Sequence, residues 1–146
     1  MTDPILAALD EQVACYRKLA KLAEAQHEYV QQSQTEKLLE VLRRRQEVLD
    51  RITAFEKTVG PAKREWPEYR SRLAPSLRDK AEALLAETRR LLEQITTADR
   101  NDAIVLQQRK LNLGRQINKA SVARKMNRNY AASAYGSKRP QMDIQQ

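Results

Sequence analysis

A single cysteine and a single histidine in 146 residues leave no intrachain disulfide and no multi-histidine zinc site to be made. Three glycines are too few for the close backbone approaches that dinucleotide folds and phosphate loops depend on. Aromatic mass is small, one Trp, one Phe and five Tyr, so a core has to be built from Leu, Ala, Val and Ile. No apolar run approaches the ~18 residues of a membrane span. Met1-Thr2-Asp3-Pro4 is acidic where a secretory leader is basic, and no leader-type apolar stretch follows. These absences together lead us to expect a soluble, cytoplasmic protein.

Catalytic chemistry is also poorly provided for. Cys15 has no histidine near it in sequence, and His27 falls on an apolar helical seam. A nucleophile needs a base and an orienting group, and neither can be named. Glu-x-x-His on two helices, as a di-iron bundle requires, is ruled out by the one histidine. The expectation is therefore no enzyme, no catalytic residue, no metal and no cofactor.

Charge is what the sequence does have, and it is unevenly placed. Residues 1–102 hold 18 basic and 18 acidic side chains, whereas residues 103–146 hold nine basic ones against Asp143 alone. The entire net charge of +8 thus belongs to the last 44 residues. A neutral, mixed-sign scaffold carries a cationic end, which favours an acidic partner of some kind.

Apolar spacing supplies the fold class. Asp3 suits an N-cap and Pro4 a first helical position. Leu6, Leu9, Val13, Tyr16, Ala20, Ala23, His27 and Val30 then alternate in steps of three and four, the seam of a bundle helix over about 4–31. Gln31 to Thr35 carries no apolar anchor and reads as a turn, with Ser33 or Thr35 as the next cap. A second helix over 36–59 follows, with Leu38, Leu42, Leu49, Ile52 and Val59 as its stripe and Val41, Val48 and Phe55 alongside. Arg45 and Glu56 interrupt that seam, and the run Arg43-Arg44-Arg45 reads as a solvated face. Gly60-Pro61 predicts a stop. Residues 60–75 read as an ordered crossover, with Trp66, Tyr69 and Leu73 laid over the bundle end.

A third helix opens at Pro75-Ser76, with Leu77, Leu84, Leu91, Ala98 and Val105 seven apart and Ala81, Thr88 and Ile95 between them. Beyond Val105 this register fails, because Asn112 and Lys119 arrive where apolar residues are due. A second stripe begins out of phase: Leu106, Leu113, Ile117 and Ala120, with Met126 near its end. The expected architecture is all-α, an antiparallel bundle of three long helices with an extended amphipathic C-terminal helical segment. Residues 1–105 form the bundle core (third helix 76–105), residues 106–132 a basic amphipathic segment for partner binding, and residues 133–146 a flexible tail. Coincidence of apolar periodicity with clustered charge makes 106–132 the expected docking surface.

Three readings from different classes compete for that surface. A nucleic-acid-binding helical protein would explain the charge, although only Tyr130 and Tyr135 are present in the basic segment for base stacking. A structural coiled-coil subunit would explain the heptads. The third comes from a likeness. Leu9, Tyr16, Leu19 and Leu22, a polar turn, Leu38-Leu39, Leu42 and Leu49, then a long helix ending in an Asn-containing amphipathic stretch and Tyr135-Gly136, resemble the FlgN-like flagellar export chaperones. The resemblance spans residues 5 to 136 and is one of architecture and spacing.

That resemblance implies a non-enzymatic cytoplasmic helical protein. Such a chaperone holds hook-associated (hook–filament junction) proteins unpolymerised and aids their delivery to the flagellar type III export apparatus. It further implies that the C-terminal segment grips a helix near the client's own C-terminus. On this chain the matching positions are Leu106, Leu113, Ile117, Ala120 and Met126, with Asn112 and Asn118 alongside and Lys119, Arg124 and Lys125 flanking. The turn after the first helix departs from the family, with Gln34-Thr35 where Gly-Asp is common. Nucleic acid and stable membrane insertion are not expected of such a protein.

Overall fold

A computed structural model describes residues 3–135, with side chains placed as far as Asn129. The described chain is all-α: α1 (Pro4–Gln31), α2 (Thr35–Arg64), α3 (Trp66–Arg72) and α4 (Pro75–Tyr135), with no strand among the described residues. It divides into two units, Met1–Val105 and Leu106–Gln146. The expected tail begins within α4 at Ser133; residues 136–146 lie outside the described residues.

In the first unit α1 and α2 run antiparallel, as the pairing of Gln12 with Glu56 and of Gln26 with Arg45 requires. α1 and α4 run parallel. Asp10 faces Lys80 at 3.9 Å, Arg17 faces Glu87 at 3.7 Å, and Gln94 Nε2 donates to Glu24 at 3.4 Å. Each partner advances by seven residues along both helices, the repeat that keeps one helical edge against another. Short α3 closes the end of the bundle and returns the chain to begin α4.

The α1 seam is buried as its spacing implies, from Leu6 and Leu9 through Val13, Tyr16, Ala20 and Ala23 to Val30, with His27 half-exposed. α4 contributes Ala81, Leu84, Thr88, Leu91 and Ile95. α2 departs from expectation in its leucines. Val41, Ile52 and Val59 are buried and Val48 and Phe55 pack against the core, while Leu42 and Leu49 are 45% and 37% exposed. Val41, Val48, Ile52, Phe55 and Val59 lie within about 60° of one another around a helix, and Arg45 sits at the edge of that arc, about 20° beyond Ile52. Arg45 is therefore not on the solvated face with Arg43 and Arg44. Those two pair with Glu40 and Glu47, whereas Arg45 points inward with its side chain 13% exposed.

Helix ends also differ from the reading of the sequence. Gly60-Pro61 does not stop α2, which continues to Arg64. A proline in a last turn forfeits one hydrogen bond, and its clash with the preceding Cβ is absent when that residue is glycine. Val59 and Ala62 are buried on either side, so continuing the helix brings core contacts. The break comes at Glu65, after which α3 begins with Pro67 in its first turn. Neither Ser33 nor Thr35 caps α2; the cap position is Gln34. Ser33 instead takes a left-handed φ of 56°, which aims its own amide at Val30 O (3.2 Å) and the Gln34 amide at Tyr29 O (3.0 Å). The end of α1 is satisfied this way at the strain of a non-glycine residue in that region.

Trp66 is part-buried against the core, its ring 5.5 Å from that of buried Tyr69, and its Nε1 donates to Glu82 at 2.9 Å. Arg78 reaches back from α4 to donate to Leu73 O and Ser71 O, capping the end of α3. Burial pushes the Tyr69 hydroxyl up to about 12, with the Asp3 carboxylate acting in the same direction.

Candidate interaction surface

Every residue singled out in the C-terminal segment lies on α4, and every one is exposed: Leu106, Asn112, Leu113, Ile117, Asn118, Lys119, Ala120, Arg124, Lys125 and Met126. Leu113 and Ile117 are 58% and 57% exposed, although both are bulky aliphatic side chains. At about 100° per residue, Leu106, Leu113, Ile117 and Ala120 share one face. Met126 falls roughly opposite them by the same rotation. Its companions there are Ile104, Leu111 and Val122, also exposed. The segment thus carries two narrow apolar faces. The second was missed in the sequence because its members are spaced seven, eleven and four apart, with no run to draw the eye.

Asn112 and Lys119 lie together between the two faces on one side, and Asn118 and Lys125 on the other. Arg124 aligns with Leu106 and Ile117, and its Nε donates to Ala120 O at 3.5 Å. Lys110, Arg115, Lys119, Lys125 and Arg128 make no ion pair among the described residues. No acidic residue occurs from 103 to 135 to neutralise them. The segment offers apolar side chains for affinity and unscreened positive charge for attraction.

In the first unit, by contrast, polar groups placed on the seams find one another. Asp102 follows Ile95 and Ala98 along α4 and is 1% exposed. Its carboxylate accepts from Gln26 Nε2 at 3.1 Å and lies 2.7 Å from His27 Nδ1. Gln26 Oε1 accepts from Arg45, whose guanidinium also grips Asp99 through two bonds of 2.7 and 2.8 Å. The Asp99 bonds hold Arg45 charged against the opposing effect of burial. A second such group lies nearer the other end. Fully buried Gln12 donates to Ile52 O and to Glu56 and accepts from Lys63, which itself pairs with Glu56 at 3.1 Å.

These networks are internally satisfied and join α1, α2 and α4, so they act as fasteners of the bundle. Cys15 is buried and free. No group of three His, Cys, Asp or Glu among the described residues is placed to hold a metal ion, and no described helix is long and apolar enough to cross a membrane. Comparison with family models, with curated proteins and with solved structures returns no match.

Proposed function

We propose that this chain is a FlgN-like cytoplasmic export chaperone, non-enzymatic, whose three-helix bundle supports an amphipathic C-terminal segment that grips a client helix. The client would be a hook-associated protein, kept from premature polymerisation and handed to the type III export apparatus. One observation carries this reading. From Leu106 to Met126 large apolar side chains remain uncovered, and residues 106–129 hold five cations with no ion pair among the described residues and no acidic residue. Isolated surface leucines are ordinary, whereas a series of them along one helix marks a surface for a partner.

Helix-on-helix docking would place the client's apolar stripe on one of the two faces, with the cations speeding encounter. Binding of a purified hook-associated protein tests this. Leu113→Glu with Ile117→Glu is expected to abolish it, and Val122→Glu with Met126→Glu to leave it largely intact if Leu106, Leu113 and Ile117 form the docking face. Lost helicity in the first double variant would make those residues core and end the proposal. The unpaired cations favour nucleic acid as the rival. Binding to a DNA duplex that collapses steeply with rising salt, with no client bound, would decide for the rival.

A further inference from the structure

A different surface, on the first unit, supports a second partner. Between α1 and α2 lies a cleft of about 450 Å³, walled by Lys18 and Lys21 on one helix and Arg44, Glu47 and Arg51 on the other. Leu22 and Val48, both half-buried, form its floor. Lys18 and Leu22 are one turn apart, as are Arg44 and Val48, so each helix sets a cation at the rim beside an apolar side chain below.

The charge here is one-sided. Four cations face a single carboxylate, and that one, Glu47, is already held by Arg43 at 3.0 Å. Arg44 is engaged with Glu40, but Lys18, Lys21 and Arg51 make no ion pair among the described residues. Since residues 1–102 are neutral overall, this is a local concentration of positive potential and not a share of a general excess. We infer that the α1–α2 cleft docks an acidic amphipathic helix of a partner protein. Its apolar side chains, spaced three and four apart, would rest on Leu22 and Val48. Its flanking carboxylates would meet Lys18 and Lys21 on one side and Arg44 and Arg51 on the other.

Other occupants fit less well. The chain's own residues 136–146 carry Lys138 and Arg139 against Asp143, the wrong sign. A second copy offers either a neutral scaffold or another cationic segment. A nucleic acid would leave Leu22 and Val48 uncovered and find no aromatic side chain in the lining on which to stack.

The inference is independent of the chaperone reading, since it uses no residue beyond Arg51. The probes are three short helical peptides sharing one length, assayed by fluorescence anisotropy on the full chain at moderate salt. The first has an apolar stripe with glutamate flanks, the second the same stripe with lysine flanks, and the third glutamate flanks with serines replacing the stripe. Only the first should bind saturably. Lys18→Glu, Lys21→Glu and Arg51→Glu together should weaken it by about tenfold or more. Lys57→Gln with Arg100→Gln, exposed cations outside the cleft, should leave it unchanged. The first three positions are exposed, so helicity is expected to survive; Gln at the same positions replaces Glu if it does not. Equal binding of the first and third peptides, or indifference to the triple variant, overturns the inference. Stripe-free anions, anionic vesicles or single-stranded DNA, binding with the same dependence on Lys18, Lys21 and Arg51 would also overturn it, in favour of a headgroup or phosphate site.

Discussion

Single side chains decide more in this bundle than the hydrophobic pattern suggests. Arg45 interrupts an apolar seam and is the place where that seam is tied to both neighbouring helices, through Gln26 of α1 and Asp99 of α4. Removing one partner of a part-buried charged network leaves the others without compensation. Arg45→Ala is expected to cost about 2–3 kcal/mol in chemical denaturation. A loss comparable to that of Arg43→Ala, whose pairs are fully exposed, would show the network to be ornamental. Tyr69 makes a second prediction. Unfolded, its hydroxyl ionises near the usual value of about 10; folded, it keeps its proton to about 12. Its contribution is intact below the lower value and drains as pH rises between the two. Tyr69→Phe should therefore lose stability less steeply than the parent over that alkaline range, and parallel curves would refute the assignment. At this scale the sequence was only half legible. Arg45 and Glu56 were visible as seam breakers, but not that they would meet Gln26 and Gln12, because pairs 19 and 44 residues apart depend on how the helices align.

At the scale of elements, the heptads of α1 and α4 were readable because long periodic helices announce both their type and their buried face. The ends were not. Gly60-Pro61 reads as a terminator, yet the glycine is what lets the proline be absorbed, and burial of Val59 and Ala62 tips the balance toward helix. Tertiary contacts overrode a local signal. On α2 the expected stripe held Ile52 and Val59, which are buried, but also Leu42 and Leu49, which are not; the β-branched Val41 and Val48, read only as flanking it, lie on the inner face. α4 offers a cleaner test of propensity. Gly114 lies in its interior with nothing within 4 Å of where a Cβ would be. Gly114→Ala should raise helicity and stabilise the segment by roughly 0.5–1 kcal/mol, read by circular dichroism on heating. No gain would mean that residue 114 does not lie in a solvated helix interior.

For the whole molecule, charge and burial divide at nearly the same place. Up to Asp102 the chain is neutral and its polar seams are satisfied internally; after Val105 it is cationic, and its large apolar side chains from Leu106 to Met126 face outward. A chain ending at Val105 is expected to stay helical, to melt cooperatively within a few degrees of the parent, and to lose its retention on a cation exchanger. Unfolding of the truncated chain would mean that the second unit is needed for the first to fold. The location of the candidate surface was legible from periodicity and charge together. Its two-faced character was not, since a stripe is noticed by what recurs and Ile104, Leu111, Val122 and Met126 recur too loosely.

The seven-residue pairing of α1 with α4 has a bearing on how the chain finds its fold. Helices with heptad repeats can mate one repeat out of step, and hydrophobic seams alone penalise that error weakly. Here the charges do. Slid one repeat one way, Asp10 would confront Glu87 and Arg17 would lose its acid; slid the other way, Arg17 would confront Lys80 and Glu24 would confront Glu87. Individually these exposed contacts are worth little, at most about 1 kcal/mol each. Arranged as an alternating code, they make both neighbouring misalignments repulsive, so the charges single out the register that the apolar seams alone leave loosely specified.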